Sequence, residues 1–342
     1  MPAVELTFTI VKLKKQETYA AFFFEKREGE ALLKSITKRS RLLLIGGAVF
    51  IWMCFCPHFA WALRCFTLSP DRTFFGTTRW VKANENDTLL DIARDFDLGY
   101  NQIVAANPGI DPWVPPKKNL VLAPLSFVLP QEYKGPGIVV NVAEMRLYYF
   151  FSEGGHDCFL TAPIGIGAEG FLTKLGTYKV KSKTPNPTWV VPASIREAEP
   201  DLPAKVPPGP DNPLGDFIFR LSQFEYGIHG TNKPWGVGRR VSHGCIRMYP
   251  EDIIALYPVV PVGTKVIVIY EPIKVGWGDG KCWIQVFDDF DNQMVDPLSK
   301  ALSGLSHCEM AIGPIDVDFK ALKRALVEKT GVPTEVAHIR EP

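Results

Sequence analysis

From Gly137 to Tyr270 the sequence is cut into short runs of β-branched and aromatic residues, at 138–142, 147–151, 158–161, 177–182, 217–221 and 266–270, with Gly, Pro and Asn between them. Runs of four to six residues bounded by turn formers are strands, and strands this short are stable only when paired within a larger sheet. The expected fold is therefore mainly β, a largely antiparallel sheet closed into a sandwich or barrel. One insertion interrupts it. Nine prolines lie between Pro185 and Pro213, where regular structure is not expected. A loop of that length inside a compact domain is often a lid over a site, and that reading is preferred here to an inert surface excursion.

The chemistry is concentrated between His229 and Arg247. A strand-like run at 224–228 places His229 at a strand end. Pro234, Gly236 and Gly238 then carry the chain through a turn-rich loop. It returns at Ser242-His243-Gly244-Cys245, ahead of a helix that starts at Pro250 with Glu251 and Asp252 in its first turn. A thiol beside loosened backbone, with two histidines nearby, suits a cysteine nucleophile whose pKa an imidazole or imidazolium lowers. Gly244 would let backbone N–H groups approach a developing oxyanion. Two other readings stay open on residue types alone. His229, His243 and Cys245 could be three ligands of a zinc ion, or Cys245 could be a buried small hydrophobe.

The order of these residues resembles a known signature. His229-Gly230, then Ser242-His243-Gly244-Cys245 and Arg247, match residue by residue the L,D-transpeptidases of the YkuD (ErfK/YbiS/YcfS/YnhG) family. Gly176-Thr177-Tyr178 resembles that family's Thr-Pro-x-Gly-Thr-Tyr, with Lys174 where Pro is usual, and the segments 186–189 and 207–215 resemble its periplasmic branch. The resemblance covers 137–270 and implies a YkuD-type β-sandwich or barrel without metal or organic cofactor. It implies that Cys245 attacks a peptidoglycan stem tetrapeptide at the carbonyl of its third residue, a diamino acid, and that D-Ala leaves. The acceptor would be an amine of another stem, giving a 3–3 cross-link, or the C-terminal Lys of an outer-membrane lipoprotein. A carboxypeptidase using water would share every residue. His229 would be the general base, oriented by the Gly230 carbonyl, and would form a thiolate–imidazolium pair with Cys245. The Gly244 and Cys245 N–H groups would make the oxyanion hole, with His243 lining it. Arg247 would pair with stem carboxylates or fix the loop; Ser242, Tyr226 and Trp235 would border the substrate. A wall-binding protein with a degenerate domain would have lost the Cys or the His, and both are present.

Residues 79–124 have a different texture. Strand candidates at 80–82 and 120–122 flank Thr88-Leu89-Leu90-Asp91, a capping-box pattern, with Leu89, Ile92, Ala93 and Phe96 at helical spacing. A second helix through Ile103, Val104 and Ala106 ends at Asn107, before Pro108. This βααβ pattern resembles LysM, a module that binds glycan strands. By that resemblance the ligand would meet Asn86, Asp87 and Thr88 in one loop and Asn107, Pro108, Gly109 and Ile110 in the other, with Asn86 standing where the family has Gly. A spacer of similar fold without affinity is the alternative. Residues 125–136, with three prolines nearby and no periodicity, are expected to be a linker. After the catalytic domain, 271–342 should form a small α+β subdomain with strands at 275–277 and 282–287 and a helix near 318–328.

The N-terminus completes the organisation. Residues 1–41 are polar and basic, an apolar run spans 42–56, and Ala60-Trp61-Ala62 has the small-x-small form of a signal-peptidase site. The run is shorter than the about twenty residues a membrane span needs. The segment 1–62 is expected to be an extended signal, cut after Ala62 or retained as an anchor, which directs the protein to the periplasm. Export would leave Cys65, Cys158, Cys245, Cys282 and Cys308, an odd number, so at least one thiol stays free in an oxidising compartment. Cys245 is assigned as that thiol; Cys282 and Cys308 either pair or are both buried and unpaired. A formal net charge of +1 gives no argument for a nucleic-acid partner.

Overall fold

In the computed structural model of the chain, residues 65–115, 120–132, 135–223 and 226–340 are described, with a separate pairing of Thr9–Ile10 and Ala21–Phe22. The basic leader, the apolar run and the Ala60-Trp61-Ala62 site lie outside these residues, as do Phe224 and Glu225 of the run ahead of His229. Among the described residues no helix is long and apolar enough to cross a membrane.

Two short strands, β1 (Cys65–Thr67) and β2 (Phe74–Gly76), precede a βααβ unit of β3 (Arg79–Lys82), α1 (Leu89–Asp95), α2 (Tyr100–Ala106) and β4 (Leu120–Ala123). β3 and β4 pair antiparallel, with Trp80 opposite Leu122. The capping box forms: the Asp91 N–H donates to the Thr88 hydroxyl at 3.2 Å, and the Thr88 N–H donates to the Asp91 carboxylate at 2.9 Å. Leu89, Ile92, Ala93 and Ile103 close a core with Val121 and Ala123.

This unit is bolted to the rest of the chain. Arg94 makes a two-pronged bond to Glu251 at 2.7 and 2.9 Å, and Tyr249 donates to the Leu98 carbonyl at 3.0 Å. Arg146, fully buried, donates to the Asp97 carbonyl and to Gln102. The Tyr100 and Asn101 N–H groups donate to the Val237 and Gly238 carbonyls at 3.2 Å. Gly99 and Gly238 touch backbone to backbone, and a Cβ on Gly99 would stand 2.8 Å from the Gly238 Cα. Excising the unit would strip a buried guanidinium of two acceptors and leave it Thr161 alone, a costly change.

The stretch 125–136, expected as a linker, is a correction. β5 (Ser126–Val128) pairs with β2, and residues 125–129 are all buried. Pro124 and Pro130 bound this three-residue strand instead of breaking it, as proline does at strand ends. Its last residue is gripped from the C-terminal subdomain: the Val128 N–H donates to Gln285 at 3.0 Å, and its carbonyl accepts from Lys274 at 2.6 Å.

Next come β6 (Gly137–Asn141), β7 (Arg146–Glu153), β8 (His156–Pro163), β9 (Ile166–Gly167) and β10 (Gly176–Pro185). The proline-rich insertion follows, then β13 (Phe217–Leu221), β14 (Gly227–His229), β15 (Arg240–Ser242), β16 (Ile246–Arg247), α4 (Pro250–Val259) and β17 (Lys265–Ile269). The insertion is not structureless as expected: it holds β11 (Trp189–Val190) paired with β12 (Lys205–Val206), and between them the six-residue α3 (Ala193–Ala198) after Pro192. Proline at a helix start costs nothing, because that N–H has no partner anyway.

Nine strands form one mainly antiparallel sheet in the order β16-β14-β13-β10-β17-β6-β7-β8-β1. The long β10 bends it. Gly176–Lys179 pairs with β17 and Val180–Pro185 with β13, with a register shift between Val180 and Ser182. A bulge there adds twist and lets one strand serve both halves of a partly closed barrel. Phe75, Leu129, Val139, Tyr148, Phe150 and Phe159 pack under the β6–β8 half.

The C-terminal subdomain has β18 (Ile273–Gly278), β19 (Lys281–Val286), α5 (Pro297–Ile312), β20 (Ile315–Val317), α6 (Phe319–Glu328) and β21 (Thr334–Ile339), with sheet order β18-β19-β21-β20. A Cys282–Cys308 disulfide joins β19 to α5 across a Cα separation of 6.2 Å. Lys274 on β18 forms a fully buried ion pair with Glu144 at 2.7 Å and ties the subdomain to the main sheet.

Candidate functional site

β14 and β16 run parallel, with Ile228 opposite Ile246 and His229 opposite Arg247. That register puts Gly227 beside Cys245. Ile228 and Ile246 point into the core, so His229, Arg247 and Cys245 share the other face. Strands about 4.8 Å apart with a two-residue rise of about 6.6 Å place the His229 and Cys245 backbones about 8 Å apart on the diagonal, within side-chain reach. Gly227 adds no side chain between them. On its far side β13 pairs antiparallel, setting Arg220 opposite Gly227.

His229 is buried, and its Nδ1 lies 2.6 Å from the Gly230 carbonyl. A carbonyl only accepts, so Nδ1 carries the proton of this bond. Burial, and then the Arg247 charge beside it, press the imidazole from 6.5 to about 4, against the opposing bond to Gly230. Burial pushes the Cys245 thiol up, while the Gly227 N–H, Arg247 and Arg220 pull it down by less. Burial therefore works against the thiolate–imidazolium pair that the resemblance implies, because it disfavours both charges.

The turn carrying Cys245 is built by its neighbours. Gly244 has φ +105°, and a Cβ there would stand 2.5 Å from the Tyr226 ring, so two constraints demand glycine. The Gly244 N–H donates to the Ser242 hydroxyl at 3.1 Å, and that hydroxyl donates to the Cys245 carbonyl at 2.6 Å. Two expectations fall here. Ser242, 1% exposed, is enclosed in the turn that it braces, and the Gly244 N–H assigned to an oxyanion is held by its hydroxyl. Trp235 is also misplaced by the sequence reading. It sits exposed on the 3-10 turn Pro234–Gly236 and does not line the cavity described next.

A cavity of about 600 Å³ opens beside His243 and Tyr226. Its rim is the loop after β9, not the proline-rich insertion expected as a lid. Phe171 of this loop packs on the His243 ring at 4.4 Å, and Thr173 donates to the Gly244 carbonyl at 3.1 Å. The insertion meets the site only at its end, where the Leu214 backbone bonds His229 and Gly215 abuts Gly230. Phe171, Thr173 and Arg220 were not singled out in the sequence. Thr173 had a signal, since it opens the Thr-Lys-Leu-Gly-Thr-Tyr run; Arg220 had none short of the strand register. Among the described residues no group of three His, Cys, Asp or Glu side chains is set to hold a metal ion.

The loops of the βααβ unit divide between scaffold and surface. Asn107 is buried, with its amide bonded to the Ile103 and Leu122 carbonyls and the Leu122 N–H. Thr88 caps α1, Asp87 bonds to Asn84, and Ile110 packs on the core. Asn86, Pro108 and Gly109 are exposed.

A sheet presenting a cysteine and a histidine on one face, with an arginine between strands and a cavity alongside, is of the class that residues 135–268 match as a family: the L,D-transpeptidase catalytic domain, YkuD. Among curated proteins the chain is 37% identical over 257 residues to YbiS of Escherichia coli, described as a probable L,D-transpeptidase, covering 71% of this chain and 81% of that protein. It is 35% identical over 272 residues to the probable L,D-transpeptidase ErfK/SrfK of Salmonella typhimurium, covering 75% and 85%. A solved L,D-transpeptidase from Mycobacterium smegmatis aligns at 23% identity with a TM-score of 0.29, over 39% of this chain and 57% of that one. The chain belongs to the L,D-transpeptidase family.

Proposed function

We propose that the chain is a periplasmic peptidoglycan L,D-transpeptidase with Cys245 as nucleophile and His229 as general base. The observation that carries this reading is the shared sheet face, on which the half-buried Cys245 thiol and the His229 imidazole, its Nδ1 held by the Gly230 carbonyl, lie on neighbouring parallel strands. As Sγ attacks the carbonyl of the stem's diamino acid, His229 takes the thiol proton. The Cys245 N–H, with His243 at the rim, stabilises the tetrahedral oxyanion. Collapse breaks the amide to D-Ala, whose amine receives the proton from His229, and leaves a thioester. An amine acceptor, from another stem or from a lipoprotein lysine, then reverses the sequence and frees the thiol. No step calls on a metal or organic cofactor.

The Cys282–Cys308 disulfide supports an oxidising compartment and so the periplasm. The βααβ unit would hold glycan strands, with Asn86, Pro108 and Gly109 as the groups left free to touch them. The test is an intact-mass spectrum of the protein mixed with a soluble stem tetrapeptide. An acyl adduct on Cys245 with release of D-Ala is expected, absent in Cys245→Ala; D-Ala release by that variant would refute the role of the thiol.

A further inference from the structure

The cavity beside His243 and Tyr226 has an ionic wall that this chemistry does not use. His243 and Tyr226 border it near the thiol. Away from them it is lined by Arg240, at the start of β15, and by Phe290 and Asp291 from the segment after β19. Arg240 donates through Nη2 to Asp291 at 3.0 Å, and its guanidinium lies 4.5 Å over the Phe290 ring. The two side chains are only 21% and 13% exposed, and the Arg240 Nε is buried without a hydrogen-bond partner. Asp291 is held in turn by its own N–H, which donates to the Tyr270 hydroxyl at 3.0 Å. A fixed ion pair facing a cavity presents a cation and an anion side by side. Its complement is a ligand head with a carboxylate and an ammonium on one carbon; a lone carboxylate would be repelled by Asp291, and a lone ammonium by Arg240.

We propose that Arg240 and Asp291 read a free α-amino-acid head, and that the cavity seats the side chain of the acyl donor's diamino acid. The inference rests on the transpeptidase reading above, for a donor whose third stem residue is a diamino dicarboxylic acid and so carries such a head. The donor is favoured over the acceptor on chemical grounds. An attacking amine has to be neutral, whereas a carboxylate partner holds it protonated. Ile166 and Phe290 supply apolar wall for the methylenes between head and carbonyl.

The test follows Cys245 acylation of the full chain by intact mass with three soluble tetrapeptides. One has the free head, one has the head carboxylate amidated, and one has Lys at the third position, which keeps the ammonium and lacks the carboxylate. The wild type should favour the free head over each of the others by about tenfold to a hundredfold in kcat/KM, the span of a charge-assisted contact. Arg240→Gln should collapse that ratio towards unity, and Arg240→Lys should retain part of it. Asp291→Asn should weaken the preference for the free head over a fourth peptide whose head amine is acetylated. If the wild type takes all three peptides alike, or if Arg240→Gln slows all three by one factor, the inference is overturned while the transpeptidase reading stands. No adduct with any peptide in the wild type overturns both.

Discussion

The charge state of the site has a measurable sign. His229 titrates at about 4 in the folded protein and at the ordinary 6.5 once unfolded. Between those values the unfolded chain binds the extra proton, so the contribution of His229 to stability is whole above pH 6.5 and is lost as the pH falls towards 4. The slope is about 1.4 kcal/mol per pH unit, and the full loss is about 3 kcal/mol. The perturbation is His229→Asn, whose amide can still donate to the Gly230 carbonyl but does not titrate. Urea unfolding of wild type and variant at pH 7, 6, 5 and 4 isolates the term as the difference between the two proteins. The wild type should lose about 3 kcal/mol more than the variant across that range. A preformed thiolate–imidazolium pair would raise the folded pKa of His229 and reverse the sign. A difference that stays flat, or that grows in favour of the wild type on acidification, refutes the neutral resting pair.

Gly244→Ala should cost at least about 2 kcal/mol, from φ strain and from contact with the Tyr226 ring, and should abolish D-Ala release; thermal melting and release assays on the variant check both. Lys274→Met leaves Glu144 buried without its partner and should cost about 3–5 kcal/mol by chemical denaturation, much of it recovered when Glu144→Gln is added. Arg247→Gln removes the charge that opposes the His229 imidazolium, so the acid limb of the acylation rate should move to higher pH, while alkylation of Cys245 should need more alkaline solution. A chelator should leave D-Ala release unchanged, and a loss reversed by zinc would overturn the metal-free mechanism.

Much of the fold could be read locally because local chemistry decides it. The capping box at Thr88 and Asp91 states its own geometry, and the run at 217–221 is the observed β13 without adjustment. Gly244 was legible as a residue with a backbone duty. The sequence reading passed over α5, yet Asp296-Pro297 carried the N-cap and first-turn signal that the structure uses, with the Ser299 N–H donating to Asp296 at 2.9 Å. Residues 125–129 misled for a related reason: prolines at both ends of a short strand look the same as prolines in a linker until the strand's partners are known.

What stayed illegible depends on register and burial, which no single stretch contains. Ser242 reads as an exposed polar group beside a nucleophile, and only the folded turn shows its hydroxyl closed between Gly244 and Cys245. Arg220 reaches the site because β13 pairs antiparallel with β14 while β14 pairs parallel with β16, a row that only the pairing of three strands creates. The charge state follows the same logic. A histidine near a cysteine suggests an ion pair, but two groups on a buried sheet face lose hydration that one contact does not restore. Arg247 then tilts the balance asymmetrically: it opposes the imidazolium and favours any anion formed at Cys245. On the proposed reading, such a site would favour neutral partners at rest and lower the cost of negative charge where the reaction creates it.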